Sequence, residues 1–379
     1  MLVLTGARVY TPLEVVEPAT LIIDRGRIAS LRAGRSPRGE DLKGHIVAPG
    51  FVDLHVHGYA GYDATSGEPD LLLSLARVLA RHGVTAFIPA TVTGPHEVLL
   101  RAAKAIAEAI KAQGESPDGA RILGLELEGP YINPERKGAQ NADFIRAPDW
   151  DEFLEYWDAA RGKIRTITLA PELPGALEFI ERASRLGMVV SLGHTNASYE
   201  EAKAAIAAGA TRATHLFNAM PPLHHRAPGV VAACLESPQV VVELVWDLVH
   251  VAPPMLRLAW RLAGSLRTAL ITDAIAAGGL PDGCYTLGGL AVEVKEGVPR
   301  LENGVLAGST LTMDQAVRNA VAVGVPLREA LIMASLAPAR ACGEPSLGIL
   351  RPGSQADFVV LDPEELVLKR VYLGGRRLL

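Results

Sequence analysis

Between residues 51 and 273 the chain alternates short apolar runs with longer amphipathic ones. The short runs fall at 51–57, 84–90, 121–128, 165–170, 188–194, 211–215, 240–246 and 268–273. Helical stretches separate most of them. One runs from Pro69 to His82 and stops at Gly83, another from Pro95 to Gln113 and stops at Gly114, a third from Pro174 to Leu186 and stops at Gly187. Ser198-Tyr199-Glu200-Glu201 offers a capping box for a helix that ends at Gly209. Proline at the start needs no N–H donor there, and glycine after the end accepts the left-handed turn. Strands that alternate with helices demand a parallel sheet, because parallel neighbours need a crossover. Eight of them over roughly 250 residues predict a (β/α)8 TIM-like barrel. The competing fold is a doubly wound open sheet, but neither Gly-x-Gly-x-x-Gly nor a P-loop follows the first strand.

The two ends have a different pattern. Leu2-Val3-Leu4, Ala19 to Ile23 and Arg27 to Leu31 read as strands, with Asp24-Arg25-Gly26 as a hairpin turn. Gly34 to Asp41 reads as a loop, whereas Asp357 to Asp362 and Leu366 to Leu368 are again strand-like. The expected organisation is a small β-sandwich domain formed by both termini, residues 1–50 and 346–379, around a barrel of residues 51–345. A chain of 379 residues exceeds a single compact core, which agrees with that division.

Composition narrows the class. With 49% hydrophobic and 21% charged residues, the chain has the make-up of a soluble globular protein. A net charge of -5 gives no reason to expect a nucleic acid or an anionic membrane as partner. Cys234, Cys284 and Cys342 are far apart and form no C-x-x-C. That argues against a thiolate zinc site and against a disulfide framework, and suits a reducing cytoplasm. The stretch Met1 to Gly6 lacks the basic and apolar regions of a signal peptide, and no apolar run is long enough to span a bilayer.

A barrel supplies a sharp test, because its catalytic groups belong at the C-terminal ends of different strands. The first strand closes on Asp53-Leu54-His55-Val56-His57-Gly58, and period-two alternation points His55 and His57 to one face. The third closes on Glu126-Leu127-Glu128, two carboxylates on a shared face, of which only Glu128 lies at the strand end. The fifth closes on His194, the sixth on His215 and the eighth on Asp273. Each alone is more often a packed or capping residue than a ligand. Together they form the donor set of a first-row divalent ion, with zinc the first choice and iron, manganese or cobalt as alternatives. Such an ion lowers the pKa of water from 15.7 to about 7, and Asp273 is placed to carry the proton.

At these residues the chain resembles the N-acetylglucosamine-6-phosphate deacetylases of the amidohydrolase superfamily. The likeness runs through Pro49 to Gly58, Leu127-Glu128-Gly129-Pro130-Tyr131-Ile132 and Gly193-His194-Thr195-Asn196-Ala197. It continues in Thr214-His215-Leu216-Phe217-Asn218-Ala219-Met220-Pro221, Thr272-Asp273-Ala274, Leu306 to Met313 and Gly348 to Asp357. The resemblance implies that Glu128, His194 and His215 hold the principal metal and that Asp273 is the acid/base residue. It implies one or two ions per subunit, the His55/His57 pair favouring the second. It further implies that Asn218, Ala219, Arg226 and His250 read an amino-sugar phosphate, with Ala139 and the backbone of Leu306, Ala307 and Gly308. The expected assembly is a homodimer or higher homo-oligomer. His224-His225-Arg226 is a cationic cluster just past the sixth strand, and arginine suits bidentate phosphate recognition.

Two stretches depart from the family pattern. Gln140 stands where the family commonly has a histidine near the substrate carbonyl, and Trp246-Asp247-Leu248-Val249 replaces a smaller stretch before His250. Both departures fall on the substrate side and bear on sugar specificity. The expected reaction is deacetylation of N-acetylglucosamine-6-phosphate in amino-sugar catabolism, with a different N-acetyl hexosamine phosphate as the alternative. A cyclic-amide hydrolase is a further rival, but the fourth strand, Thr166 to Glu172, has no lysine to bridge two metals. A silent sugar-phosphate binding protein is the rival outside enzymes.

Overall fold

The computed structural model describes residues 1–114 and 117–379. Eight parallel strands build the barrel: β1 (Phe51–Val56), β2 (Val84–Thr91), β3 (Leu125–Glu128), β4 (Ile164–Leu169), β5 (Val189–Leu192), β6 (Ala210–Ala213), β7 (Val241–Val245) and β8 (Thr268–Ile271). Each pairs with the next in chain order. The ring closes just past the strand ends, where Asp273 N donates to His55 O at 2.9 Å and His57 N to Ala274 O at 2.8 Å. Every residue of β1 and β2 is buried, because helices cover the outer face and side chains fill the inside. That explains why these strands read as continuous apolar runs.

The stretch 121–128, expected as one strand, is broken. Arg121–Ile122 pairs with β2, and β3 begins only at Leu125. Between them Leu123 N bonds to Phe87 O and Leu125 N to Lys163 O, so the chain changes partner at Gly124. Gly124 has φ 150°, and a Cβ there would lie 2.7 Å from Lys163 O. Only glycine fits.

Helices Pro69–Ala80, His96–Gln113, Trp150–Ala159, Ala176–Arg185, Tyr199–Ala208, Gly229–Glu236, Pro253–Ala263 and Met313–Ala322 follow the eight strands in turn. The expected capping box is present: Ser198 Oγ accepts from Glu201 N at 3.2 Å, and Glu201 Oε2 accepts from Ser198 N at 2.8 Å. The helix expected from Pro174 starts two residues later, because Gly175 at φ 81° turns the chain just before it. No described helix is long and apolar enough to cross a membrane.

Both termini join one separate sheet. Its strand Ile46–Pro49 lies between Leu2–Tyr10 and Phe358–Leu361, and the sheet continues through Val15–Asp24, Arg27–Ala33 and Leu368–Leu373. Positive φ at Arg25 (48°) and Gly26 (76°) gives the two-residue hairpin turn expected there. The loop expected at Gly34 to Asp41 ends in a short pairing of Glu40–Asp41 beside Leu4 and Thr5. Leu4, Val9, Leu21, Ile28, Phe358 and Tyr372 form this sheet's own core, with Phe358 and Tyr372 stacked at 4.4 Å. From Pro49 the chain passes through Gly50 directly into β1, which fixes the histidine-bearing strand to the sheet.

One further sheet interrupts the alternation of strand and helix. Between β8 and the last barrel helix, Gly283–Leu287, Leu290–Lys295 and Val298–Leu301 form a three-stranded antiparallel sheet. Leu287, Val292 and Val294 pack on Ile275, Ala277 and Ala307, which holds this sheet beside the C-terminal end of the barrel.

Candidate active site

The strand-end residues converge. Glu128 Oε1 lies 3.0 Å from His194 Nε2 and 2.9 Å from His215 Nε2. His57 Nε2 lies 3.2 Å from His55 Nε2 and 3.3 Å from both Glu128 Oε2 and Asp273 Oδ1. All six side chains are buried. Two triplets, His55/His57/Asp273 and Glu128/His194/His215, each bring their donor atoms within 4.8 Å of one another.

The ring tautomers of His57 and His194 follow from the backbone. His57 Nδ1 lies 3.0 Å from Ala90 O, and His194 Nδ1 lies 2.9 Å from Arg136 O. Each bond keeps the proton on Nδ1 and leaves the Nε2 lone pair facing the centre, as an imidazole ligand requires. The donor set therefore fits a first-row divalent ion by chemistry and by orientation.

Strand geometry alone places His55, His57 and Glu128, but the other three need a sharp turn. His194 (φ 47°), His215 (φ 31°) and Asp273 (φ 50°) all have left-handed backbones, as does Ala219 (φ 52°). Non-glycine residues rarely adopt this conformation, which costs on the order of 1–3 kcal/mol each and clusters at working sites.

Glu126 and Glu128, equivalent in the sequence, have different surroundings. Glu126 lies one step deeper in the barrel, where Arg212 Nη2 donates to its Oε2 at 2.7 Å and Thr168 Oγ1 to its Oε1 at 2.6 Å. Burial opposes its ionisation, yet Arg212 and His55 hold its pKa down to about 2. Burial likewise opposes ionisation of Asp273, and His57 and His55 bring it to about 2.

Above these groups opens a cavity of about 310 Å³. Ala139, Gln140, Asn218, Ala219, His250, Leu306 and Gly308 line it, together with His57, Glu128, His194, His215 and Asp273. Three expected residues do not. His55 sits beneath the lining, and Ala307 is buried in the core of the inserted sheet. Arg226 lies on an exposed loop, with Nη1 2.7 Å from His225 Nε2. Gln140 is clamped: its Oε1 accepts from Thr93 N at 2.7 Å, and its Nε2 donates to Glu128 Oε2. His250 Nδ1 lies 2.6 Å from Asp247 Oδ2. Burial would lower the His250 pKa, but Asp247 beside it raises it instead.

Among the lining residues that neither the strand ends nor the family likeness announce, Arg300 is the charged one. It belongs to the inserted sheet, and its Nη1 donates to Gly304 O at 2.8 Å. Only the local pattern of that insertion could have pointed to it, and the pattern has no chemical signature.

The Amidohydrolase family pattern matches residues 46–378. The chain is 41% identical to an N-acetylglucosamine-6-phosphate deacetylase of Vibrio furnissii, over 87% of this chain and 82% of that protein. It is also 41% identical to an N-acetylgalactosamine-6-phosphate deacetylase of Escherichia coli O157:H7, covering 87% of each. The structure of an Asp-to-Ala mutant of the N-acetyl-D-glucosamine-6-phosphate deacetylase of Mycobacterium smegmatis, in complex with N-acetyl-D-glucosamine-6-phosphate, superposes with a TM-score of 0.94 at 39% identity, covering 100% of this chain and 99% of that one. With its strand-end donor set and this breadth of similarity, the chain belongs to the amidohydrolase family.

Proposed function

We propose that this chain is a metal-dependent deacetylase of N-acetylglucosamine-6-phosphate, releasing acetate and the free amine. The observation that carries the reading is the meeting of four imidazoles, Glu128 and Asp273 at the floor of a cavity with a cationic wall. A divalent ion, zinc by its preference for imidazole and carboxylate donors, would be held by Glu128, His194 and His215, with room for a second at His55 and His57. When bound, such an ion supplies Lewis acidity and makes water a nucleophile at neutral pH. Asp273, ionised at neutral pH, takes the proton of the attacking water and returns it to the leaving amine nitrogen. His250 and Arg300 supply positive charge on the cavity wall for the 6-phosphate, and Asn218 and Ala219 border the sugar. Gln140 supports Glu128 while facing the same cavity. Three separated cysteines, two of them buried, agree with a cytoplasmic setting.

A second substrate has its own support. The Escherichia coli relative that acts on the galactosamine epimer is as similar as the glucosamine enzyme of Vibrio furnissii. Acetate release from both N-acetyl hexosamine 6-phosphates, and from their unphosphorylated forms, tests both readings. Turnover of the phosphorylated glucosamine compound above the others is expected. A preference for the galactosamine epimer would shift the assignment to that sugar, and no acetate from any of them would leave a silent binding protein.

A further inference from the structure

The barrel interior beneath the site holds a charged cluster that the reaction does not use. Glu126 on β3, Arg212 on β6 and Glu243 on β7 are each fully buried, from strands far apart in the sequence. Arg212 Nη2 donates to Glu126 Oε2 at 2.7 Å, and Arg212 Nε lies 2.8 Å from Glu243 Oε1. Thr168 Oγ1 on β4 fixes the second oxygen of Glu126 at 2.6 Å. Burying two carboxylates and a guanidinium is costly, and such a cluster stabilises a fold less well than apolar residues of similar volume. A barrel core is normally filled by branched apolar side chains. Stability therefore does not explain the cluster, and its contacts do. The one site group it reaches is His55, whose Nδ1 lies 3.4 Å from Glu126 Oε2. That buried nitrogen makes no hydrogen bond among the described residues, and the Glu126 carboxylate is the acceptor that faces it.

Two of the other three imidazoles show what this contact replaces, whereas His215 Nδ1 has no hydrogen-bond partner among the described residues. His57 and His194 have their Nδ1 atoms on backbone carbonyls. His55 has a carboxylate instead, and a carboxylate behind an imidazole raises the basicity of its other nitrogen and fixes the ring. We propose that Glu126, held in place by Arg212 and Thr168, is a positioning residue that turns His55 Nε2 toward the centre and thereby gives the His55/His57/Asp273 half-site its affinity for a second divalent ion. Arg212, 2.7 Å from Glu126 Oε2, sets an opposite charge beside this carboxylate beneath the ion's place. This rests on the metal-centre reading above and extends it to the occupancy of one half-site.

The experiment uses the full chain, stripped with a chelator, and follows uptake of zinc by calorimetry and elemental analysis. Wild-type protein is expected to take up two ions per chain. Glu126→Gln is expected to keep the tighter ion and to bind the other about 10–100-fold more weakly, the usual effect of losing such a partner. Thr168→Val is expected to weaken the same ion by less. Should Glu126→Gln fail to fold, the triple replacement Glu126→Leu, Arg212→Met, Glu243→Leu removes the whole cluster without leaving a buried charge unpaired. It is expected to fold and to bind one ion. Two ions bound with wild-type affinity in a folded Glu126 variant would overturn the proposal while leaving the metal centre standing. A wild-type chain that takes up no ion would overturn the metal centre together with it.

Discussion

The two halves of the candidate metal centre are built by different means. His55 lies on β1 and His57 one residue past its end, two residues apart, and ordinary pleating turns both to the same point. Glu128, His194 and His215 come from three strands, and the two histidines reach the centre only through left-handed turns. The histidine pair of the first half-site is local and unstrained, although Asp273, which completes its triplet, comes from beyond the end of β8 with a left-handed backbone, and the pair is backed from the barrel interior by Glu126. The second is assembled across the barrel mouth, and its support comes from Arg136 O and Gln140 at the rim. Strain of this kind persists only where the surroundings hold it, so the second half-site is the one whose geometry the fold defends.

That contrast sets an order of expected losses. His215→Ala removes a ligand from the strained half-site and is expected to lose the principal ion. Turnover should then fall by more than the ~10²–10⁴-fold typical of a missing general acid–base group, with metal content by elemental analysis as the check. A His215→Ala protein that keeps its ion would dissolve the distinction between the halves. Asp273→Asn keeps the shape but cannot carry a proton, so kcat is expected to drop by about 10²–10⁴-fold with KM little changed. Near-normal turnover would move the proton transfer to another group.

His55→Ala tests the local half-site. It is expected to weaken only the second ion and to lower turnover by about 10–100-fold, less than either change above. A loss as deep as that of His215→Ala would make the two halves equal.

The smallest effect lies at the cavity wall. Asp247 raises the pKa of His250, so the imidazolium persists above its ordinary range and is lost as pH rises through the raised value. KM for the phosphorylated sugar is therefore expected to climb with pH, and His250→Gln to flatten that rise at a KM about tenfold higher, as loss of a ~1.5 kcal/mol charge-assisted bond would give. The same pH series on the unphosphorylated sugar should show no such rise. A matching rise there would remove His250 from phosphate recognition.

What the sequence made legible follows the same division. His55 and His57 were readable from period two alone, and the helix caps from Pro, Gly and the Ser198 box. His194, His215 and Asp273 became readable only once a barrel was assumed, because each is a single residue at a strand end. Glu126 and Glu128 could not be separated, since alternation treats them alike. Arg212, 86 residues further on, separates them by drawing Glu126 inward. Arg226 drew attention through its basic neighbours, yet charge clustering does not say which way a loop folds, and within this chain it lies outside the cavity. Arg300 stands in the cavity without any such signal, on a sheet inserted where the alternation of strand and helix lapses.

The most direct test of the metal-dependent reading is one titration. Chelator-stripped chain receives a divalent ion in measured steps, and acetate release from N-acetylglucosamine-6-phosphate is plotted against ions bound per chain. The account predicts no turnover in the stripped chain and its appearance with the first ion, the one held by Glu128, His194 and His215. Full turnover with no ion bound would contradict it.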